Sequence, residues 1–581
     1  MKKKKINSKP PVQQEIRESK PLIDFRYIAI ILFAVFCFLL FKNISYPLLW
    51  NDESDTAMTA KQVLKYGYPK VHDGKNIIFL PDDPTWIGYK KSIDANIART
   101  WGDFYFGAIG VFLAGHTDDM YLKSALSRIP FAAAGLLGLL VFLISFKNLF
   151  PDKKTFYRMA AAFFLMELFS TALFLHLRTG RYYALVIFIT ACFFYVFIQY
   201  FLMNRYSFKK YFWMMVLVLF IAYHINFVMI PAFCMAVGIY EAWQRTVEAL
   251  PRIKKEKLFF LLKEQFLIAL KNLSPLFAVL VLIAPFVVFF ETFDSAARAA
   301  AFYNLDSKKY IDNLARLVHV FKTQEFFYAF LFAKALQLII WYLSRKEINK
   351  KTILPENNFH KLSFFMLVFS FCYILMTAKM PLLWERYYIV LQPVMVLMLL
   401  ADIYIIYKYI ASRQKNQKFL KLSFSGALII FFAINYDIKT GYIKDYWYQL
   451  THQYKGPLDY IIPYIKENYK KPEDLVIATN YEELSYIYFL DSKITIGYIN
   501  KNIEEDLKYQ PDIIIFRKSW GQNPKYFNDL INKAKYERVT FPVADYPVND
   551  IAELDFGIQH LFRTKLAATE QEKVEMFVRT K

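Results

Sequence analysis

A chain of 581 residues is long enough for several soluble domains, yet 56% hydrophobic and 19% aromatic content with a positive mean hydropathy belong to a bilayer protein and set soluble folds aside. The formal net charge of +22 invites nucleic-acid binding, but the Lys and Arg residues lie between apolar runs and not on one domain, so no nucleic-acid partner is expected. Cys37, Cys192, Cys234 and Cys372 all fall inside apolar runs, where neither a disulfide nor a CxxC metal site is expected.

The basic start, MKKKKINSK, reads as a cytoplasmic tail over residues 1–26, because the first apolar run begins near Tyr27 and lacks a small-residue cleavage site after it. A helix needs about 20 mostly apolar residues to cross hydrocarbon. Candidate spans are Tyr27–Phe41, Leu122–Phe146, Tyr157–Leu175, Tyr182–Met203, Tyr211–His224, Phe227–Ala242, Leu273–Phe290, Phe326–Leu343, Leu362–Thr377, Tyr387–Tyr407 and Leu420–Asn435. Tyr211–Ala242 could be one long helix. Counting it as two gathers the Lys/Arg clusters of the tail, Lys147–Arg158, Arg205–Lys210, Arg245–Lys271, Arg345–Lys361 and Lys408–Lys421 on one side, the cytoplasm.

The other side then receives a long loop over 43–121, turns at His176–Arg181, His224–Asn226 and Lys379–Arg386, and the loop Glu291–Glu325, whose helical character suits a lid or an interfacial helix pair. Within spans, Glu167 and Lys334 are expected to face protein or water, since an unpartnered charge there costs at least about 2.5–3.5 kcal/mol. Asp402, nearer the cytoplasmic end, is expected to snorkel.

Residues 437–581 should follow the last span outward as a small α/β domain. A helix at Leu458–Tyr469, a strand at Asp474–Ala478, a helix from near Tyr481 and the buried strand Pro511–Phe516 alternate, which implies a partly parallel sheet. No GxGxxG, P-loop or zinc spacing occurs in it.

The sharpest chemical signal is PLLWNDESDTAMTAKQVLKYGYP, which sets Asp52 and Glu53 directly after the first span. One carboxylate could act as general base on an acceptor hydroxyl, contributing about 10²–10⁴-fold, while the other orients it, binds a cation or holds the acceptor. The structural alternative is that Asn51 or Asp52 caps a helix from Ser54 to Tyr66.

This first span, the acid pair, the Ala-containing helix and the turn Gly67, Tyr68, Pro69 together resemble the GT-C glycosyltransferase superfamily, in the branch of the protein O-mannosyltransferases and lipid A aminoarabinose transferases. The resemblance implies a GT-C-like, α-helical polytopic membrane protein. Residues 27–436 would form its catalytic domain of about eleven spans, and 437–581 its extracytoplasmic α/β domain. It further implies an inverting enzyme of the bacterial plasma (inner) membrane that transfers sugar from polyprenyl phosphate to lipid A, a cell-envelope glycan or a protein hydroxyl on the outer face.

Asp52 takes the place of the family's catalytic carboxylate, with Glu53 beside it. Trp101–Gly115 resembles the amphipathic segment before the second span, and the basic candidates for the phosphate-binding position ahead of it are Lys90, Lys91 and Arg99. HLRTGRYYA, from His176 to Ala184, resembles the second outer turn and offers Arg178 and Arg181. WERYYIVLQP, from Trp384 to Pro393, resembles the opening of a late span and adds Arg386, with Lys379 at the same level. Each suits a lipid phosphate, and each equally suits anchoring at the headgroups. No ligand spacing requires a metal, and a divalent cation is an optional helper. An O-antigen ligase or polymerase using outer-loop arginines, and a non-enzymatic transporter of lipid-linked sugars, are the rival readings.

Overall fold

The computed structural model describes residues 24–78, 88–150, 152–302, 306–323, 327–347, 357–380, 385–413, 423, 425–427, 451–453, 455–495, 508–518, 524–545 and 573–580. The tail up to residue 23, Trp384, most of the expected span Leu420–Asn435 and parts of the clusters Arg345–Lys361 and Lys408–Lys421 lie outside them.

Apolar runs become helices that are joined by short turns. α1 (Phe25–Phe41) is followed by α2 (Asn51–Tyr66), a small hairpin of β1 (Tyr89–Lys90) and β2 (Ala95–Asn96), and α3 (Gly102–Ala114). Then come α4 (Met120–Lys147), α5 (Lys153–Glu167), α6 (Thr171–Arg178), α7 (Tyr183–Phe197), α8 (Phe208–Ile225), α9 (Met229–Ala249) and α10 (Leu258–Phe289). α11 (Thr292–Phe302), α12 (Ser307–Thr323), α13 (Phe327–Glu347), α14 (Asn357–Thr377) and α15 (Leu391–Arg413) complete the bundle. Among the described residues α4, α7, α8, α10, α14 and α15 are long and apolar enough to cross a membrane. Outward-facing Phe259, Val281 and Val288 on α10 are more than two-thirds exposed, a surface that hydrocarbon covers and water does not.

Two helix boundaries depart from expectation and a third agrees with it. The expected span Tyr157–Leu175 is divided: α5 stops at Glu167 and α6 restarts after Ser170, a residue suited to a helix start, then runs on through His176–Arg178 where a turn was expected. α8 and α9 are separate helices, as the charge pattern required, broken at Asn226. α2 begins three residues before Ser54, with Trp50 at its N-cap, so Asp52 and Glu53 lie inside its first turn and not ahead of it. Carboxylates there face the positive end of the helix dipole. α2 ends where Gly67, at φ +83°, turns the chain into the left-handed region that closes a helix.

Asp402 corrects an expectation. It does not snorkel but is fully buried, accepting from Ser363 Oγ at 2.6 Å and lying 2.8 Å from Lys334 Nζ, which also bonds Ser363. The partner of Lys334, which the sequence left unnamed, is therefore on α15. In the segment 291–325, α11 and α12 are helices, in line with the helical character expected there. Tyr310 and Asn313 of α12 donate to Leu375 and Ala378 at the end of α14, while Phe293, Ile311 and Val318 stay exposed.

The C-terminal region holds a five-stranded sheet of order β4-β3-β5-β7-β6: β3 (Val476–Thr479), β4 (Lys493–Thr495), β5 (Ile513–Ile515), β6 (Tyr536–Ala544) and β7 (Lys573–Arg579). β3 pairs in parallel with β4 and β5, and β7 is antiparallel to β5 and β6, which is the partly parallel sheet expected. Alternation sorts the central strands: Ile477, Ile513 and Ile515 face one layer, Ala478 and Ile514 the other, against the helix Pro524–Lys533. The first layer is one hydrophobic core that also contains Leu48, Leu49, Ala57, Met58 and Ala60 around α2 and Phe104 and Ala108 of α3. Burying these residues together docks the sheet region on the start of α2.

Candidate active site

α2 carries Asp52, Glu53 and Asp55 in a little over one turn, and its two adjacent acids meet opposite surroundings. Glu53 is 1% exposed. Its Oε1 accepts from Arg128 Nε and from the Gly180 N–H, each at 2.8 Å, and its Oε2 accepts from Arg128 Nη2 at 2.5 Å. The same arginine, from α4, also donates to the carbonyls of Ile44 and Pro47. Glu53 and Arg128 thus tie the start of α2 to α4, to the turn at Gly180 and to the segment that leaves α1. A carboxylate so occupied has little capacity left for a substrate.

The Asp52 side chain is 23% exposed and is flanked by two guanidiniums, Arg386 at 3.2 Å and Arg181 at 3.6 Å. Arg181 also donates to the Asp52 carbonyl at 2.8 Å and pairs with Asp55 at 3.1 Å, and Asp55 pairs with Arg99 at 2.9 Å. Arg99 reaches back to Asp103, a fully buried carboxylate of α3, at 3.4 Å. The result is a line of alternating charge, Arg386, Asp52, Arg181, Asp55, Arg99, Asp103. Arg386 rests over the Trp50 ring and Arg99 over the Phe104 ring, which fixes both planar groups. The two guanidiniums flank Asp52 and leave part of its carboxylate open to an incoming group.

No protein-family model and no curated protein sequence matches the chain. Among solved structures, it is similar to the crystal structure of ArnT from Cupriavidus metallidurans bound to undecaprenyl phosphate, with 12% identity and a TM-score of 0.49, over 94% of this chain and 97% of that one.

The cations expected from the sequence divide into two groups. Arg99, Arg181 and Arg386 converge on the acids of α2. Arg178 is buried and donates to the Lys42 carbonyl at 2.9 Å. Lys90 sits at the corner of α10 and α11, where it donates to the Phe289 carbonyl, lies over the Phe289 ring and is 3.7 Å from Glu291. Lys91 and Lys379 are exposed and join no ion pair found among the described residues. His224 ends α8 with its ring against Phe220 and Phe286. Its carbonyl oxygen would be 2.4 Å from a Cβ at position 102, so Gly102 lets α3 start against the end of α8. Among the described residues no group of three or more His, Cys, Asp or Glu is arranged to hold a metal ion.

Sequence reasoning missed Asp55, Arg128 and Asp103. Asp55 stands three positions after Asp52 and so shares its helix face, a spacing that could have found it. Arg128 was passed over inside the expected span Leu122–Phe146, although an arginine at that depth signals a buried partner. A further acid, Glu483, comes from the C-terminal sheet region. The helix Glu483–Leu490 packs on α2: Ser485 Oγ bonds Ser54 Oγ at 2.8 Å, and both hydroxyls reach the Leu49 carbonyl. Tyr488 of the same helix bonds Ser127 of α4 at 3.0 Å.

Proposed function

We propose that the protein is an inverting glycosyltransferase that moves a sugar from a polyprenyl-phosphate donor to an acceptor hydroxyl at the α2 end of the bundle. The observation that carries this reading is the setting of Asp52: partly exposed, at the start of a helix, between Arg181 and Arg386, at the end of an apolar bundle. The resemblance of residues 47–69 to the GT-C pattern agrees with it. In the reaction the acceptor oxygen bonds to the anomeric carbon and gives its proton to Asp52. The bond from that carbon to the phosphate oxygen breaks on the opposite side, and the phosphate leaves with the bonding electrons.

Arg386 and Arg181 neutralise the charge that grows on the leaving phosphate. A donor phosphate beside Arg386 competes with Asp52 for that guanidinium, and loosening the ion pair makes Asp52 a better base once donor is in place. Glu53 takes no part in proton transfer and holds α2 in position. A divalent cation is not required by this scheme, so transfer should survive chelation by EDTA. The distribution of Lys and Arg argues for Asp52 and the C-terminal domain on the extracytoplasmic side of a bacterial plasma membrane, with lipid A, an envelope glycan or a protein hydroxyl as acceptor.

The test is transfer from a radiolabelled polyprenyl-phosphate sugar by the purified protein in liposomes. Asp52→Asn should lower the rate about 10²–10⁴-fold while thermal unfolding stays unchanged. Retained transfer would sink the reading and favour a ligase that works through arginines alone. Mass spectrometry of envelope glycans and lipid A, with and without active protein, names the sugar and acceptor.

A further inference from the structure

The C-terminal sheet region contributes its own acid pair to the site. Glu482 and Glu483 are adjacent, and the backbone at Glu482 is in the left-handed region at φ +61°, a strained conformation for a glutamate. Glu482 is fixed by Arg517, a fully buried guanidinium that also donates from Nε to Asp545 at 2.5 Å. Asn480 in turn clamps the Arg517 backbone through both its carbonyl and its N–H. With Glu482 committed inward, Glu483 stands at the start of the helix that packs on α2, close enough to Asp55 for the two carboxyls to act on each other.

Glu483 is 93% removed from solvent by the fold, being 7% exposed, and among the described residues no hydrogen bond reaches its Oε2. A buried carboxyl oxygen without a partner is costly unless something outside the protein completes it. Burial pushes this carboxyl up to about 7, and Asp55 and Glu482 add to the shift. Near neutral pH a substantial share of it is therefore a neutral acid that both donates and accepts, which suits an alcohol better than a cation.

We propose that Glu483 is a specificity-determining residue, whose Oε2 hydrogen-bonds a hydroxyl of the carbohydrate bound beside Asp55. This rests on the transferase reading above and deepens it: the C-terminal domain forms one wall of the site and reads the sugar, while the arginines read the phosphate. The hydroxyl belongs either to the donor sugar or to a carbohydrate acceptor. A site built to hydrogen-bond a hydroxyl discriminates strongly against ligands that lack it.

The experiment is equilibrium binding to the full chain in detergent, which needs no turnover. The probes are polyprenyl-phosphate hexoses, sugar-free polyprenyl phosphate and envelope oligosaccharide. Glu483→Ala should weaken one carbohydrate probe about tenfold, the size of one lost buried hydrogen bond, and leave the sugar-free lipid unchanged. Glu483→Gln, close in shape and always neutral, should restore binding to within about threefold of wild type. Loss for the hexose lipid assigns the hydroxyl to the donor, and loss for the oligosaccharide assigns it to the acceptor.

Unchanged binding of every carbohydrate probe overturns the proposal, as does an equal loss for the sugar-free lipid, which would mean that the domain has merely shifted. Ser485→Ala, which loosens the docking contact with Ser54 without touching the acid, is the control and should not change sugar selectivity. If Glu483→Ala has no effect while Asp52→Asn abolishes transfer, only the Glu483 proposal fails. If wild type binds no carbohydrate probe better than bare lipid, both fail.

Discussion

Two acid pairs, Asp52–Glu53 in the helical bundle and Glu482–Glu483 in the C-terminal sheet region, have the same design although their surroundings share no structure. In each, one member is locked by a buried arginine, Glu53 by Arg128 and Glu482 by Arg517, and the other is left facing the same end of α2. The difference lies in the second members: Asp52 is partly exposed between two guanidiniums, whereas Glu483 is buried beside another carboxyl. Cationic neighbours favour a charged carboxylate, and burial next to an anion favours a neutral one. Adjacent acids of one type can thus supply a proton acceptor in one place and a hydroxyl reader in the other. The buried Lys334–Ser363–Asp402 group inside the bundle is the useful contrast, since its carboxylate and ammonium satisfy each other.

Four measurements would break or sharpen this comparison. The largest effect is expected at the partly exposed member of the first pair: Asp52→Asn should cut transfer about 10²–10⁴-fold with an unchanged melting temperature, and Glu53→Gln should do the reverse, lowering stability first. A Glu53→Gln protein that melts like wild type would remove the division of labour. Next, Arg128→Ala and Arg517→Ala should each cost about 3–5 kcal/mol in thermal or denaturant unfolding in detergent, because each strands a buried carboxylate. Equal stability to wild type would mean that these arginines are not anchors.

For the contrasting group, Lys334→Met alone should cost a similar few kcal/mol, of the order of 3–5, while the double change with Asp402→Leu recovers most of it, since an apolar pair of similar volume replaces a buried ion pair at little loss. Transfer by the double variant should be near wild type, and a double variant as unstable as the single one would contradict a closed pair. The smallest effect concerns pH. Burial pushes Glu483 and Asp459 up to about 7 from ordinary values near 4.5 and 3.8. The folded state therefore holds protons that the unfolded chain has lost, and stability falls as pH rises from about 4 to about 7 and then levels. Asp459 accepts from the Leu48 N–H, so this loss should appear as looser docking of the C-terminal region. Melting should drop by a few degrees between pH 5.5 and 8, and Asp459→Asn with Glu483→Gln should flatten the slope.

Much of the architecture was legible in apolar runs. The separation of α8 from α9 followed from charge placement, and the strands at Val476 and Ile513 from short aliphatic runs between helical stretches. The break between α5 and α6 was not legible, because hydropathy averaged over a window does not register a three-residue interruption. Asp402 was misjudged for a related reason: its distance from a helix end suggested reach to the interface, but its partner Lys334 lies on another helix. Of the side chains that lie together at the candidate site, Asp52, Arg99, Arg181 and Arg386 were named from motif and position. Asp55 and Arg128 were overlooked, one hidden behind the adjacent pair, the other inside a run read only for its length.

The sequence by itself determined that this chain has spans, an acid pair where the first span ends, and a partly parallel sheet after the last described span, because local composition and periodicity suffice for such features. Only the tertiary structure decided which acid of each pair is locked by a buried arginine. Glu53 meets Arg128 across 75 positions and Glu482 meets Arg517 across 35, and separations of that size are closed by packing of whole helices and sheets. The same packing brings Glu483 to Asp55, a meeting that no local pattern records because it depends on the shared core between the sheet and α2.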